Sequence, residues 1–394
     1  MMTALALCAV GAEKLVSHEV KKLGLPVLST GFGKVRFTAD LAGLYRALLS
    51  LRAADRVLLE AGAFPAADFD ALFDGVQAIP WEDLIPRGMG LSVAKVRVNR
   101  SRLQAVTAIQ GMVHKAAADR LCRHFKLSRL PELPSGAKPA EIRVYLEKDQ
   151  ASLLLDLSGE PLFKRGYRIE GGIAPLRETT AAALLLLANW RRKFPLYDPF
   201  CGSGAIAIEA ALYAWDMAPG LGRDFTLSDL AIGNREVEAA IREELLTRVD
   251  FSRTIRIYGS DRDPRAVSIA CSNAVRAYEL AQGKRAAAGG IRRGPQLPWL
   301  PDFKVLPMGE ARAPDDHTGG FIITNPPYGK RLEDRAAAEN TYRELKTLGQ
   351  RFPGWKLGII TDHPGFESFF GGKADSCKEI TNGAIPSYFF LFTL

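Results

Sequence analysis

The segment Asp198–Gly204, which reads DPFCGSG, combines an acidic residue with a glycine-rich turn between a strand-like and a helix-like stretch. Glycine tolerates positive φ and lets a ligand approach the backbone closely, and free N–H groups at the start of the following helix attract a carboxylate or a phosphate. Such a turn suits NAD, a nucleotide or S-adenosylmethionine (SAM), and it also occurs as a purely structural turn. The motif therefore predicts a ligand-binding turn without selecting one ligand.

A second acidic motif, Gly259–Pro264 (GSDRDP), follows the next strand-like segment. Asp261 at the end of that segment can accept hydrogen bonds from both hydroxyls of a ribose. Asp263 fits two roles equally well, a ligand contact or the N-cap of a helix that begins at Pro264. The stretch Gly220–Arg253 between the first two motifs has the character of an insertion.

A third motif, Thr324–Gly329 (TNPPYG), follows the apolar strand FIIT. Consecutive prolines end a strand and fix a rigid turn, so Asn325 is held at the carboxyl edge of the sheet, where open α/β folds bind ligands. The Asn325 amide oxygen and the Pro326 carbonyl are acceptors that suit a planar NH₂ group, and Tyr328 can stack on the ring that carries it. The order of the three motifs disfavours the alternative of a plain turn.

These motifs require a sheet whose strand ends meet at one edge. From Gly171 onward, strands alternate with helices of ten or more residues, which predicts a parallel, doubly wound sheet, and the C-terminus reads as a β-hairpin around Asn382–Gly383. The N-terminal third has shorter alternating elements, which predicts an antiparallel sheet with helices on one face.

Basic residues are concentrated before the motifs. The chain has a net charge of +8, and ten basic residues but only one acid, Asp119, lie between Arg87 and Arg129. A solvated surface is the simpler interpretation, but so large an excess favours a polyanionic partner such as nucleic acid. A second basic stretch, Gln282–Pro301, resembles an insertion.

A helix from Arg102 to about Phe125 is predicted within the first basic stretch, with Ser101 as its cap. The spacing places two sets of side chains on different faces. The expected apolar face consists of Val106, Ile109, Val113 and Ala117, and the expected basic face of Lys115, Arg123 and Lys126.

Composition limits the class of protein. With 394 residues, 47% of them hydrophobic and 24% charged, the chain is long enough for two or three globular domains. No apolar run approaches the ~20 residues of a membrane span, so no membrane partner is expected. The five cysteines have no CxxC spacing, which predicts no metal centre and no disulfide framework, and indicates a reducing, cytoplasmic location.

Taken with Ser158–Arg168 (SGEPLFKRGYR) and the following GIAPLRETT, the three motifs resemble those of the THUMP-domain RNA guanine-N2 methyltransferases. The resemblance implies an α+β and α/β multidomain chain. Its expected parts are a ferredoxin-like domain over 1–65, a THUMP RNA-binding domain over 66–160, and a Rossmann-like class I methyltransferase domain with a terminal β-hairpin over 161–394.

The resemblance also implies roles for individual residues. The methionine part of SAM would lie against Asp198, Cys201, Gly202, Ser203 and Gly204, and Asp261 would hold its ribose. Glu310 stands where the family usually has an adenine-contacting aspartate, and Thr179 either contacts the cofactor or simply begins its helix. The target base would be held by Asn325, Pro326, Pro327 and Tyr328.

The implied reaction is transfer of the SAM methyl group to the N2 of a guanine in structured RNA, with rRNA favoured over tRNA. The rivals are a tRNA guanine-N2, a nucleic-acid adenine-N6 or a protein glutamine methyltransferase, since NPPY occurs in several of these. A rival of another class is a ribosome assembly factor that binds RNA with a vestigial SAM fold.

Overall fold

The computed structural model describes residues 1–131, 138–168, 176–283, 300–314, 319–327, 332–383 and 385–394. Within these ranges the strands form two sheets of seven strands each. The first sheet belongs to the N-terminal part of the chain and the second to the C-terminal part.

The N-terminal sheet is antiparallel except at its last pair of strands, and its helices lie on one face. Its strands are β1 (Met2–Cys8), β2 (Val27–Gly31), β3 (Lys34–Ala39), β4 (Ala54–Pro65), β5 (Leu91–Asn99), β6 (Ala140–Glu147) and β7 (Gln150–Asp156). Its helices are α1 (Glu13–Lys22), α2 (Leu41–Ser50), α3 (Phe69–Ala78) and α4 (Val106–Phe125).

Strand β4 joins the two halves of this sheet, whose order is β2-β3-β1-β4-β7-β6-β5. Residues 54–59 of β4 pair with β1, and residues 58–65 pair with β7. The predicted antiparallel layer with helices on one face is confirmed, because alternate residues such as Ala4, Val35 and Val57 are buried in one core with the helices. The sequence interpretation missed β2, a short segment between Pro26 and Gly31.

Helix α4 differs from its prediction at its N-terminal end. It begins at Val106, and the predicted cap Ser101 is wrong: the Ser101 hydroxyl accepts a hydrogen bond from the Asp149 amide at 3.0 Å. Val106 is exposed and does not belong to the apolar face, whereas Ile109, Val113 and Ala117 are buried as predicted. Lys115, Arg123 and Lys126 are exposed.

The C-terminal sheet is parallel except for its last strand pairings. Its strands are β8 (Leu196–Asp198), β9 (Ile257–Asp261), β10 (Asp302–Val305), β11 (Phe321–Thr324), β12 (Lys356–Thr361), β13 (Ser376–Asn382) and β14 (Ile385–Thr393). Its helices are α5 (Glu178–Leu187), α6 (Ala205–Ala214), α7 (Arg235–Leu246), α8 (Pro264–Ala281), α9 (Leu332–Leu345), α10 (Leu348–Arg351) and α11 (Phe366–Phe370).

The strand order β10-β9-β8-β11-β12-β14-β13 is that of a doubly wound sheet with a reversed terminal hairpin. Strands β8 to β12 run parallel, and β14 pairs antiparallel with both β12 and β13. Because β8 and β11 are adjacent and chain connections leave them in opposite directions, the carboxyl edge at this point opens into a crevice. The predicted doubly wound sheet and hairpin are confirmed.

The inserted segment between β8 and β9 docks the two halves onto each other. The Gly220 amide donates to the Leu49 carbonyl at 2.8 Å, and the Ala231 amide to the Leu84 carbonyl at 2.9 Å. A Cβ at residue 220 would lie 2.7 Å from the Leu49 Cα, so only glycine permits this approach. The segment Gly220–Arg253 is therefore part of the joint between the two sheets.

Candidate active site

The predicted motifs meet at the carboxyl edge of the C-terminal sheet. Asp198, Asp261 and Thr324 are the last residues of the neighbouring parallel strands β8, β9 and β11. Parallel strands place their carboxyl ends at the same edge, so residues far apart in sequence become neighbours here.

The glycine-rich turn has the backbone that its sequence predicts. Gly202 and Gly204 have φ values of +50° and +83°, and Gly204 is the N-cap of α6. A Cβ at residue 202 would meet nothing within 4 Å, so open space lies over this turn. The turn is anchored by the Cys201 amide, which donates to the Ser260 carbonyl at 2.9 Å. The backbone therefore provides a cradle beside a helix N-terminus.

Asp198 is buried at the centre of the site. Its Oδ1 accepts hydrogen bonds from the Thr324 hydroxyl at 2.6 Å and from the Phe200 amide at 3.1 Å. Burial raises the pKa of Asp198 to about 7, and the neighbouring Asp261 acts in the same direction. Asp198 thus links the glycine-rich turn to the strand that directly precedes Asn325, a link that the sequence analysis did not predict.

Asp261 organises two loops through its carboxylate. Its Oδ2 accepts from the Gly202 amide and its Oδ1 from the Asp263 amide, both at 3.0 Å. Each carboxylate oxygen has a further lone pair, and the residue is partly exposed, so it can still accept from a ligand hydroxyl. Asp263 accepts a hydrogen bond from the Arg265 amide and is the N-cap of α8. This supports its structural role as a helix cap over the alternative of a ligand contact.

Asn325 presents an acceptor without a partner. Its Oδ1 is buried, and in the described part of the chain no donor bonds it. A buried amide oxygen that is left unpaired costs about 1–3 kcal/mol. Pro326 and Pro327 follow within the described residues, whereas Tyr328 lies outside them. The Asn325 Oδ1 is therefore available to accept a hydrogen bond from a ligand.

Three further residues named in the sequence analysis are Glu310, Thr179 and Cys201. Glu310 ends a 3₁₀ turn after β10 and is exposed. Thr179 donates to the Asp55 carboxylate at 2.6 Å, so its hydroxyl ties α5 to the N-terminal part. Burial raises the pKa of the Cys201 thiol well above its usual value, which keeps it protonated and unsuited as a nucleophile.

Asn273 is a site residue that sequence reasoning missed. From the buried side of α8, its Nδ2 donates to the Ser203 carbonyl at 3.0 Å and so fixes the glycine-rich turn. A polar residue within an apolar helix face was the available signal.

Among the described residues, no cluster of histidine, cysteine or acidic side chains could hold a metal ion, and no helix is long and apolar enough to span a membrane.

The strand order and the ligand-binding edge together define a Rossmann-like methyltransferase fold, preceded by a ferredoxin-like domain. Sequence models of two known domains agree with this division of the chain. The RMKL-like methyltransferase domain matches residues 165–283 and 306–388, and the RlmL ferredoxin-like domain matches residues 3–58. The chain belongs to the RMKL-like methyltransferase family and is an enzyme of that class.

Curated relatives extend the similarity along the chain. The candidate RNA methyltransferase YpsC of Bacillus subtilis (strain 168) is 34% identical over 390 residues, which cover 99% of this chain and 95% of the relative. The ribosomal RNA large subunit methyltransferase K/L of Syntrophotalea carbinolica is 33% identical over 388 residues, covering 95% of this chain. The chain spans about half the length of the K/L relatives it matches, with 51% of this one covered.

Solved structures show the same overall arrangement. SMU.472, a candidate methyltransferase in complex with SAH, is 33% identical with a TM-score of 0.85 and is matched over 100% of this chain and 98% of its own. A protein from Listeria monocytogenes described as a predicted N6-adenine-specific DNA methylase is 34% identical with a TM-score of 0.86. That match covers 99% of this chain and 96% of the Listeria chain.

Proposed function

We propose that this protein is a SAM-dependent N-methyltransferase that modifies the exocyclic N2 of a guanine in structured RNA in the cytoplasm, with large-subunit rRNA favoured over tRNA. The observation that carries the proposal is the buried, unpaired Asn325 Oδ1 beside the rigid Pro326–Pro327 turn. An NH₂ group on a base supplies the donor that this oxygen lacks. The names of YpsC and of the K/L relatives support RNA, and specifically large-subunit rRNA, as the source of that base.

The residues of the glycine-rich turn fit SAM. The open space over Gly202 and the amides at the start of α6 accommodate a carboxylate-bearing chain, while the partly exposed Asp261 suits a ribose. SMU.472 is similar over its whole length and was solved with SAH, which supports the same cofactor class here. Cys201, Ser203 and Gly204 complete the proposed lining of the cofactor site, with Asp198 anchoring the turn and Glu310 at the adenine side. When bound, SAM supplies an electrophilic methyl group.

The Asn325 amide oxygen and the Pro326 carbonyl act on the nitrogen that receives the methyl group. The lone pair of a guanine N2 is delocalised into the ring, which makes this nitrogen a weak nucleophile. Acceptors on its two hydrogens orient the amine and favour the pyramidal form, whose lone pair is available to an electrophile. These hydrogen bonds strengthen as positive charge develops on the nitrogen, so they lower the barrier more than they stabilise the bound base.

Different domains bind the RNA backbone and select the nucleotide. We keep the division into a ferredoxin-like domain (1–65), a THUMP domain (66–160) and a methyltransferase domain (161–394). Lys115 and Arg123 on α4, and Lys126 directly after it, bind phosphates and position the RNA without reading the base. Selection of the nucleotide falls to the site around Asn325.

The test replaces the acceptor oxygen. We expect Asn325→Ala to reduce methyl transfer to large-subunit rRNA by about 10²–10³-fold, the typical effect of losing a transition-state acceptor. Asn325→Asp keeps an acceptor at the same place and should retain more activity, and Asn340→Ala at an exposed position of α9 should behave as wild type. The readout is tritium transfer from labelled SAM, followed by mass spectrometry of the nucleosides.

The identity of the methylated nucleoside decides between the candidates. N2-methylguanosine supports the proposal, whereas N6-methyladenine in DNA would support the activity given for the Listeria protein. SAM binding without transfer to any nucleic acid would favour an assembly factor. Normal turnover by Asn325→Ala would show that the motif is only a turn.

A further inference from the structure

The face of the N-terminal sheet opposite its helices carries a group of cations, here called the basic sheet face. Successive side chains of a strand point to opposite faces of the sheet. These cations alternate with residues buried in the helix-covered core, so they lie together on the other face. The group consists of Lys34, Arg36, Arg56, Lys95, Arg97 and Arg143.

This face is concave. The Lys34 Nζ of β3 lies 5.9 Å from the ring centroid of Tyr145 in β6, although β1, β4 and β7 lie between those strands. In a flat sheet, four steps of ~4.8 Å would separate the two strands by about 19 Å, farther than the two side chains reach. The sheet must therefore curl around this face, which agrees with the full burial of Leu58 and Leu154 on it.

Three of the six cations on the basic sheet face have carboxylate partners. Arg56 and Arg143 share the buried Asp156 at 2.6 and 3.2 Å, Arg143 also lies 3.8 Å from Glu141, and Arg36 pairs with Glu60. These ion pairs cover the apolar floor formed by the leucines.

The other three cations have no such partner in the described part of the chain. Lys34, Lys95 and Arg97 have no carboxylate within ion-pair distance among the residues that the structure describes. The Arg97 guanidinium lies over the Tyr145 ring, 5.5 Å from its centroid. Burial lowers the pKa of Lys95, and the cations of Arg97, Arg143 and Arg56 lower it further. Lys95 thus lies in a positive field that the carboxylates of this face do not cancel.

We propose that the basic sheet face is a second RNA-binding surface, on which Lys34, Lys95 and Arg97 contact backbone phosphates of one strand. A strand of phosphates supplies the missing counter-charges, and binding releases the cations condensed on the RNA. Helix α4, which carries Lys115 and Arg123 and is followed by Lys126, packs on the opposite face of the sheet, so the two surfaces contact different parts of the RNA. This inference rests on the proposed function, because it takes RNA as the substrate.

The experiment compares two variants that remove the same charge. The first is Lys34→Gln/Lys95→Gln/Arg97→Gln, and the control is Lys14→Gln/Lys21→Gln/Lys22→Gln on α1, whose exposed lysines lie on the helix side of the sheet. Binding of protein-free large-subunit rRNA from Bacillus subtilis is measured by filter retention over a series of KCl concentrations. We expect the sheet-face variant to bind at least tenfold more weakly, with a salt slope lower by ~2, at ~0.7 for each phosphate of a single strand. The control should keep the wild-type slope.

Equal affinity and slope for the sheet-face variant and its control would overturn the inference. Failure of the wild-type protein to bind this RNA at all would instead count against the proposed function. If the triple variant melts at a lower temperature than wild type, the single variant Lys95→Gln at an exposed position replaces it, with an expected slope change of ~0.7.

Discussion

Asp198 is the residue on which both sides of the site depend. It is almost fully buried, and its Oδ1 holds the Phe200 amide of the turn and the Thr324 hydroxyl of the strand before Asn325. Both bonds need an acceptor oxygen, which the protonated and ionised forms of the carboxyl group each provide. The cost of the ionised form is desolvation, and it appears as the raised pKa.

This raised pKa predicts a pH dependence of stability. The folded-state pKa of about 7 lies above the ordinary value of 3.8, so between these pH values the native state holds a proton that the unfolded state has lost. Unfolding is then favoured as pH rises from about 4 to about 7, and the contribution of Asp198 to the free energy of unfolding falls across this window. Asp198→Asn keeps the acceptor but cannot ionise, so we expect a flatter pH dependence.

Urea unfolding at a series of pH values between about 4 and 8 measures the effect. Asp74→Asn, which changes an exposed aspartate on α3, is the control and should follow the wild-type curve. Superimposable curves for wild type and Asp198→Asn would mean that this carboxyl group ionises as it does in water.

At the scale of elements, helix α4 separates structural from exposed cations. Arg120 donates to both carboxylate oxygens of Glu82, at 2.8 and 2.6 Å, and to the carbonyl of Gln77, which joins α4 to the end of α3. The Arg120 guanidinium lowers the pKa of Glu82 to about 2. Arg120 is therefore committed to the fold, whereas Lys115, Arg123 and Lys126 point to solvent.

We expect the variant Lys115→Gln/Arg123→Gln/Lys126→Gln to bind large-subunit rRNA more weakly and with a lower salt slope. The change in slope should be at most ~0.7–0.9 for each phosphate that the variant no longer binds. Filter binding over a KCl series measures both quantities, and the α1 triple lysine variant again provides the control. An unchanged slope would place the RNA-binding surface elsewhere, and the basic segment 282–301, most of which lies outside the described residues, would be the next candidate.

At the scale of the whole molecule, a buried ion network joins the N-terminal part to the helix that follows the glycine-rich turn. Arg165 donates to the Arg52 carbonyl at 2.5 Å and lies 3.4 Å from the Glu209 carboxylate on α6, the helix that follows the turn. Tyr167 donates to the same carboxylate at 3.2 Å. The side chains of Arg165 and Glu209 are 2% and 0% exposed, so this ion pair is shielded from water. The network fixes the N-terminal sheet relative to the site.

Breaking this pair from one side should destabilise the protein strongly. We expect Arg165→Met to lower the free energy of unfolding by ~3–5 kcal/mol, because it leaves the Glu209 charge buried without its partner. The double variant Arg165→Met/Glu209→Gln removes that charge and should recover part of the loss. Thermal and urea unfolding measure both variants, and a loss for the single variant within the ~0.5 kcal/mol of a surface change would contradict the prediction.

Most strands and helices, and the positions of the three motifs, could be predicted from the sequence. Hydropathy periodicity and glycine or proline turns act over a few residues, so the strands ending at Asp198, Asp261 and Thr324 and the terminal hairpin could be predicted. The start of α4 could not, because Ser101 bonds to Asp149 in the turn between β6 and β7 instead of capping the helix. The roles assigned to the site residues remain predictions.

Which side chains meet depends on how the strands and helices pack together. The bond between Thr324 and Asp198 joins residues 126 apart, and the curl that brings Lys34 to Tyr145 depends on the packing of five strands. The unpaired oxygen of Asn325 and the raised pKa of Asp198 are both consequences of burial. Burial is a property of the assembled core, and local sequence patterns do not fix how much water each polar group loses.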